Sequence, residues 1–570
     1  MRRALAHHEA GELAAAERLY RDILKADPGH AGARQYLGVL AHQAGRTEEG
    51  IALVREALAA APHDAGAHAN LAQMALATGR LREAEVHARI AVALAPAMAT
   101  AHVNLAATLL RAGEPGEARV HWLRALELEP RSPVARTGLA EATLATGAPD
   151  PAERAETLIA AGRALTKVGR RVDSAVLLRR ATRIAPDSAG AHLALGTLLI
   201  DLDELDGATA SLARAAALDP SSAAAHGNLG VALQEQGRST EAIDAFATAG
   251  RLDPQDALAH WNRSLVLLRT GRWSEGFATF EWRWRLPGRA PRPGATWDGA
   301  PLDGRTLLLH AEQGMGDTIM CLRWLPAAVA RARGRVLLAV QEPLQRLARA
   351  TWPGLPLVEE GTPIPAHDVH LPLMSLPLLF GATPATLPPP VRFAVPPAGA
   401  AATAGGTADG ERRIGLVWAG RPSHPNDARR SCPPGFLAPL AAAAGCRFFS
   451  LQVPGARHAP AATIADLPPA LRALTTDLGP ALGDMADTAA ALAALELIIT
   501  VDSAVAHLAA TQGVPTWMLA SFVADWRWLE GRADSPWYPS LRLFRQERPH
   551  DWPSAIAAVA AALAAAPAVP

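Results

Sequence analysis

From the N-terminus to about residue 287, apolar positions recur at helical spacing in short segments punctuated by proline and glycine. Prolines that follow a helix stand at Pro28, Pro62, Pro96 and Pro130, then at Pro186, Pro220 and Pro254, 34 residues apart within each set. Turn glycines keep the same period at Gly11, Gly45, Gly79, Gly113 and Gly147, then Gly169, Gly237 and Gly271, with Asp203 in the remaining slot. Only 22 residues separate Gly147 from Gly169, so a deletion or break falls near 148–156. Each helix–turn–helix unit exposes an apolar face that only its neighbours bury, so residues 1–287 are expected to stack into an all-α superhelix with a concave surface. Trp273, Phe277, Phe280, Trp282 and Trp284 crowd the last unit and mark it as a cap against the next domain.

After a Pro/Gly-rich linker at 288–301 the pattern becomes short apolar runs separated by helical segments. Strands are expected at Thr306–His310, Val336–Val340, Val369–Leu373, Arg413–Trp418, Phe448–Gln452, Leu497–Val501 and Thr516–Leu519. A Pro/Ala/Gly-rich linker at 396–410 separates residues 302–395 from 411–570, which end in an amphipathic helix. Strand–helix alternation on both sides of this linker predicts two parallel-sheet, Rossmann-type α/β domains facing a cleft. The chain as a whole reads as multidomain.

Four patterns carry candidate chemistry. Gly314-Met315-Gly316-Asp317 ends a strand; its glycines allow close backbone approach, and Asp317 reads either as a helix cap or as a reactive carboxylate. Trp418–Ser431 is a polar loop with Arg421, His424, Asn426, Arg429 and Arg430, either a solvated surface or a clamp for a diphosphate. Glu496–Leu519 reads as strand, turn and helix, with Asp502 at the exit, Ser503 as N-cap, Ala504 opening the helix and His507 one turn on. A helix N-terminus of this kind suits a phosphate, and the same unit also serves as ordinary βα packing. Lastly, Asn70, Asn104, Asn228 and Asn262 share one slot of the repeat, with His68, His102, His192, His226 and His260 two residues ahead of that slot. These amides suit a peptide backbone in a groove, or bonds to neighbouring helices.

Composition narrows the classes. Fifty-five basic and 55 acidic residues balance, so no global field favours nucleic acid. Lysine occurs only at Lys25 and Lys167, which leaves any phosphate contact to arginine, histidine or backbone. Cys321, Cys432 and Cys446 form no CxxC pair, which points to a reducing compartment and away from structural zinc. Neither a leader-like apolar segment nor a stretch of the ~20 apolar residues needed to span a bilayer is visible, so a cytoplasmic location is expected.

The 34-residue helix–turn–helix period resembles the tetratricopeptide repeat. In such arrays the slot of Asn70, Asn104, Asn228 and Asn262 faces the inner groove, and the four are similar to the asparagine ladder of the O-linked N-acetylglucosamine transferases, with interruptions at Tyr36, Gly138 and Ala194. This implies a protein or peptide partner. From about Leu302 to Trp552 the GMGD turn, GLVWAG and ITVDSAVAHLAATQGVPTW resemble glycosyltransferase family 9, the heptosyltransferase-like group. Asp525, Trp526, Trp537 and Tyr538 look like the version of that domain fused behind tetratricopeptide repeats. The resemblance implies a GT-B fold and a nucleotide-sugar donor as co-substrate, with no cofactor and no metal. It also implies an inverting mechanism in which Asp317 is the general base. Gly314, Gly316, Trp418, Arg429, Arg430, Asp502, Ser503, Ala504 and His507 fall at donor-binding positions. The family's phosphate-binding lysine is missing, and only Arg429 or Arg430 stands in. A glycosyltransferase acting on a recruited protein is therefore expected. The alternatives are a non-catalytic repeat scaffold with a degenerate GT-B domain, and a lipopolysaccharide-type or small-acceptor transferase.

Overall fold

The computed structural model describes residues 1–147, 150–359, 361–396, 411–424, 426–453 and 462–565. The chain divides into two compact units, Met1–Leu229 and Gly230–Pro570. The division falls inside the helix Ala223–Glu235, well ahead of residue 287. The helices Ser239–Leu252, Ala257–Arg269 and Trp273–Phe280 thus gather with the α/β region that comes after them. Residues 397–410 of the expected second linker, and Ala148 and Pro149 of the expected break, lie outside the described residues.

The first unit is a run of antiparallel helices. Side chains of Asp64, Ser132 and Ser188 accept the backbone N–H three residues on and so cap helix starts. The turn glycines close each hairpin in the left-handed region, at φ 81° for Gly45, 76° for Gly79 and 85° for Gly113. Asp203, in the slot without glycine, adopts φ 60° in their place, a conformation aspartate tolerates better than most residues. At the break a single 17-residue helix, Pro151–Lys167, packs on both Pro133–Ala145 before it and Arg171–Ile184 after it. One short helix is missing there, and a longer one serves both neighbours.

Proline and histidine recur together for a reason absent from the sequence pattern. His68 Nε2 donates to the carbonyl of Pro62 (3.1 Å), His102 to Pro96 (3.0 Å), His192 to Pro186 (3.0 Å) and His226 to Pro220 (3.3 Å). Where the slot holds arginine, Arg136 makes the same bond to Pro130 (2.6 Å) and Arg34 to Pro28. Each side chain ties the loop carbonyl six residues back and closes the opening turn of its helix.

His68 and His102 also meet a second histidine, with Nδ1–Nδ1 distances of 2.8 Å to His87 and 3.0 Å to His121. Because Nε2 of the inner ring carries its proton toward proline, one proton lies between the two Nδ1 atoms and the outer ring keeps a bare Nε2. Burial and then the neighbouring imidazole lower the pKa of His87 and of His121. The folded repeats therefore bind fewer protons than the unfolded chain below about pH 6.5, and stability falls as the pH drops through that value. A His87→Gln/His121→Gln chain is expected to lose less melting temperature between pH 7.5 and 5.5 than the wild type. An equal loss in both would refute this origin.

The second unit contains two all-parallel sheets. The first is built from β1 (Ala295–Thr296), β2 (Thr306–His310), β3 (Arg335–Ala339), β4 (Leu357–Val358) and β5 (Val369–Pro372), ordered β1-β5-β2-β3-β4. The second comprises β6 (Arg412–Val417), β7 (Cys446–Ser450), β8 (Thr475–Asp477), β9 (Leu497–Val501), β10 (Thr516–Ala520) and β11 (Leu541–Arg545), ordered β11-β10-β9-β6-β7-β8. Both faces of the sheets are covered, which is why their strands read as continuous apolar runs. On one face of the second sheet Ile414, Leu416, Ile499 and Val501 pack with Ile556, Val559 and Leu563 of the closing helix Trp552–Ala565. On the other, Val417, Phe449, Ile498 and Met518 join the larger core.

The segment expected to be a featureless linker, 288–301, contains β1, which pairs with Val369 and His370 of β5. β4, β8 and β11 have no counterpart among the expected strands; two of them are too short for a pattern, and β11 lies in a stretch dominated by charge and aromatics. Trp273 stacks on Trp537 with ring centroids 4.7 Å apart, and Phe277 meets the edge of Trp526 at 5.8 Å. These rings join the last helices to the second sheet's far end. No helix among the described residues is long and apolar enough to cross a membrane.

Candidate functional site

In the first unit the groove asparagines are largely engaged with their own array. Asn104 Nδ2 donates to the Ala69 carbonyl (2.9 Å) and Asn228 Nδ2 to Thr197 Oγ1 (2.7 Å). Asn70 Nδ2 donates to Gln35 (3.1 Å) in the amide orientation that also lets Gln35 accept from Ala67. The donors therefore face neighbouring helices. Gly138 interrupts the row because Trp122 occupies its side-chain space: a Cβ there would lie 2.2 Å from the indole ring. A recess of about 260 Å³ opens beside it, lined by Trp122, Leu110, Val134, Thr137 and Glu141 among others. Asn262 is half-buried in the second unit.

In the second unit the strand orders explain where the polar residues converge. The chain leaves β2 for β3 on one side and returns to β5 on the other; likewise β6 is flanked by β7 and β9. Loops leaving the carboxyl ends of β2, β6 and β9 therefore open at switch points, where parallel sheets leave a crevice. They carry Gly314–Asp317, Trp418–Ser431 and Asp502–Ser503.

Asp317 sits at the third position of the helix Met315–Cys321 and accepts from the Gly314 N–H at 2.9 Å, so it does cap the helix. Its other oxygen is ion-paired with Arg527. Arg527 also binds Asp525 at 2.5 Å, and its side chain is only 10% exposed. Burial works to lower the pKa of Arg527, but Asp317 and Asp525 outweigh it and hold the guanidinium above its ordinary value. Burial raises the carboxyl of Asp317, with Arg527 opposing. Asp502 is pushed up to about 6 by burial and by Asp525, against the indole N–H of Trp528 and the charges of Arg527 and Arg430.

Ser503 and Ala504 take the positions expected of them, and the remaining candidate residues are placed as follows. Gly316 does not make room for a ligand: a Cβ there would fall 2.6 Å from His507 Cδ2, so its role is to let two helices meet. His507 is no cationic phosphate partner. It is 3% exposed, bonds Tyr538 through Nδ1 at 2.8 Å, lies 5.0 Å from the Trp528 ring, and is kept neutral by burial and by nearby Arg527 and Arg323. Ser503 holds the N-cap position but makes no capping bond; its hydroxyl turns to Thr500 at 3.1 Å, while half-buried Ala504 begins the helix. Trp418 is fully buried in the core of the second sheet and offers no surface to a ligand. Arg429 is ion-paired with Glu235, so it faces the helical side. Arg430 lies beside Gly420 and bonds Asp427 at 3.4 Å. The residue missed by sequence reasoning is Arg527; its signal is the Asp525-Trp526-Arg527 run, of which only the acidic and aromatic members carry the resemblance.

The tetratricopeptide repeat family matches residues 1–65, 69–133, 193–257 and 228–281. Across residues 1–281 the chain therefore carries tetratricopeptide repeats, modules of protein interaction, with residues 134–192 outside the match. The remainder is an α/β region with two parallel sheets. Among known proteins, FlbA of Caulobacter vibrioides is 28% identical over 305 residues, covering 48% of this chain and 49% of its own length. The chain thus spans about half the length of this curated relative. Among solved structures, YrrB, described as a tetratricopeptide repeat protein with an unusual peptide-binding site, is 20% identical over 36% of this chain and 95% of its own, with a TM-score of 0.20. MamA is 21% identical over 31% of this chain and 91% of its own, with a TM-score of 0.23.

Proposed function

We propose that the α/β region is a GT-B-type glycosyltransferase of the family 9 kind, and that the repeats recruit its protein acceptor. The convergence of Asp317 and Asp502, at the switch points of two parallel sheets, with Asp525 and Arg527 of the loop after β10 supports this reading, because such crevices bind nucleotides. In the reaction, the acceptor hydroxyl attacks the anomeric carbon and gives its proton to the Asp317 carboxylate. The bond from that carbon to the diphosphate oxygen breaks with inversion, and the nucleoside diphosphate leaves with the electron pair. Asp502 would meet sugar hydroxyls. The recess beside Gly138 and the asparagine oxygens supply the partner's footing on the repeats.

A second reading is favoured by the ion pair on Asp317 and by the burial of His507 and Trp418: a repeat scaffold whose α/β region no longer turns over a donor. A thermal-shift panel of UDP-, GDP-, ADP- and CMP-sugars on the full chain separates the two. A melting temperature raised by one nucleotide sugar, with the rise reduced by Asp502→Ala, is expected for the transferase. A flat response to every donor at millimolar concentration would support the scaffold.

A further inference from the structure

Arg527, carried by the loop that comes after β10 of the second sheet, touches the Asp317 helix of the first. It holds Asp317 and Asp525 through its two terminal nitrogens, while its Nε–H is buried without a partner among the described residues. Of the two cations expected at a phosphate, Arg429 is engaged by Glu235 and Arg430 by Asp427, and His507 is neutral and turned away. Asp317, meanwhile, is a weaker base toward a hydroxyl while its outer oxygen is bound to a guanidinium.

These observations rest on one another, and on the reading of the crevice as a donor site. We propose that Arg527 is the diphosphate-binding residue of this crevice, and that an incoming diphosphate takes Arg527 from Asp317 and so frees the carboxylate. A phosphate oxygen offers the guanidinium the same two-point geometry as a carboxylate and adds an acceptor for Nε. The exchange makes the base available only when the donor's diphosphate is in place, so acceptor activation follows donor binding.

Charge gives the exchange a pH signature. Asp502 faces Asp525, Arg527, Arg430 and the Trp528 indole, and Asp317 faces Arg527, Asp525 and the Gly314 N–H, with Glu312, Cys321 and His424 close enough to feel its charge. An added diphosphate is repelled by these carboxylates unless one takes up a proton. Asp502, already raised to about 6, is the group placed to do so. The complex then holds more protons than the free chain, and affinity rises as the pH falls from 8 toward 6.

The test is calorimetric titration of the full-length chain with inorganic pyrophosphate and with UDP, GDP and ADP, using the matching nucleosides as controls. Asp317→Asn, which removes the competitor for Arg527, is expected to bind the diphosphates several-fold more tightly than the wild type. Arg527→Gln is expected to bind them roughly tenfold or more weakly, the loss of a charge-assisted contact, and Arg527→Lys to recover part of that loss. Nucleoside affinity should not move. Wild-type affinity in Arg527→Gln, or no tightening in Asp317→Asn, overturns the assignment while leaving a donor site in place. No binding of any phosphate compound by the wild type or Asp317→Asn overturns the donor site and this assignment together.

Discussion

Replacing Arg283 with alanine is expected to destabilise the second unit by about 3–5 kcal/mol, because it leaves a buried carboxylate without its counter-charge. Arg283 is fully buried and bonds Glu312 (3.0 Å), Glu281 (2.6 Å), Ser375 (2.8 Å) and the Phe280 carbonyl (3.3 Å). Glu312 itself is 7% exposed, and its second oxygen has no partner among the described residues. The guanidinium thus joins the short helix Glu281–Arg285 to the loop leaving β2 and to the residues after β5. Urea unfolding of the full chain, followed by tryptophan fluorescence, would measure the loss; a midpoint unchanged from the wild type would show the cluster to be dispensable.

Glu312 supplies an internal control. Burial pushes its carboxyl up to about 7, with Arg283 pulling the other way, against 4.5 in an open chain. The folded state therefore holds the proton over a range where the unfolded state has lost it. Stability from this group is fully present below pH 4.5, declines as the pH rises to about 7, and is flat beyond. Glu312→Gln should remove that slope, which is opposite in sign to the histidine effect in the repeats. Combined with Arg283→Ala it should recover part of the lost stability, since no charge is then stranded.

Gly316→Ala is the second large effect. His507 cannot retreat, because Tyr538 and Trp528 hold its ring, and the added methyl would stand 2.6 Å from Cδ2. The helices Met315–Cys321 and Ala504–Thr511 must then part, at a cost of about 1–3 kcal/mol. Asp317 lies one residue further along the first of them and would move with it. A chain that melts lower than wild type and gives no shift with any nucleotide sugar is expected. Wild-type behaviour in both measurements would mean that the two helices yield without disturbing the crevice.

The features legible in the sequence are those the backbone demands locally. Gly45, Gly79 and Gly113 are periodic because a left-handed turn recurs, and β2 and β9 are readable because a strand covered on both faces must be apolar along its length. The GMGD and VDS turns are legible for the same reason: each ends such a strand. The contact between Asp317 and Arg527 spans 210 residues, and no local pattern records it. Gly316 illustrates the limit in another way. A glycine near a ligand and a glycine beneath a neighbouring ring leave the same mark in a sequence, and only packing tells them apart. Trp418 misleads similarly, since an aromatic residue at a strand end suits either a stacking surface or the core.

The bond from histidine or arginine to the proline carbonyl spans six residues wherever it occurs. It can form before any neighbouring repeat has stacked, so each opening turn closes at little loop entropy. A chain built from such closures has many equivalent places to start folding and few long-range commitments to make first. The repeats should therefore nucleate at several points and zip outward, whereas the parallel sheets must await strands far apart in the chain. The N-terminal array would then be the fast-folding part of this protein, ready while the α/β region is still assembling.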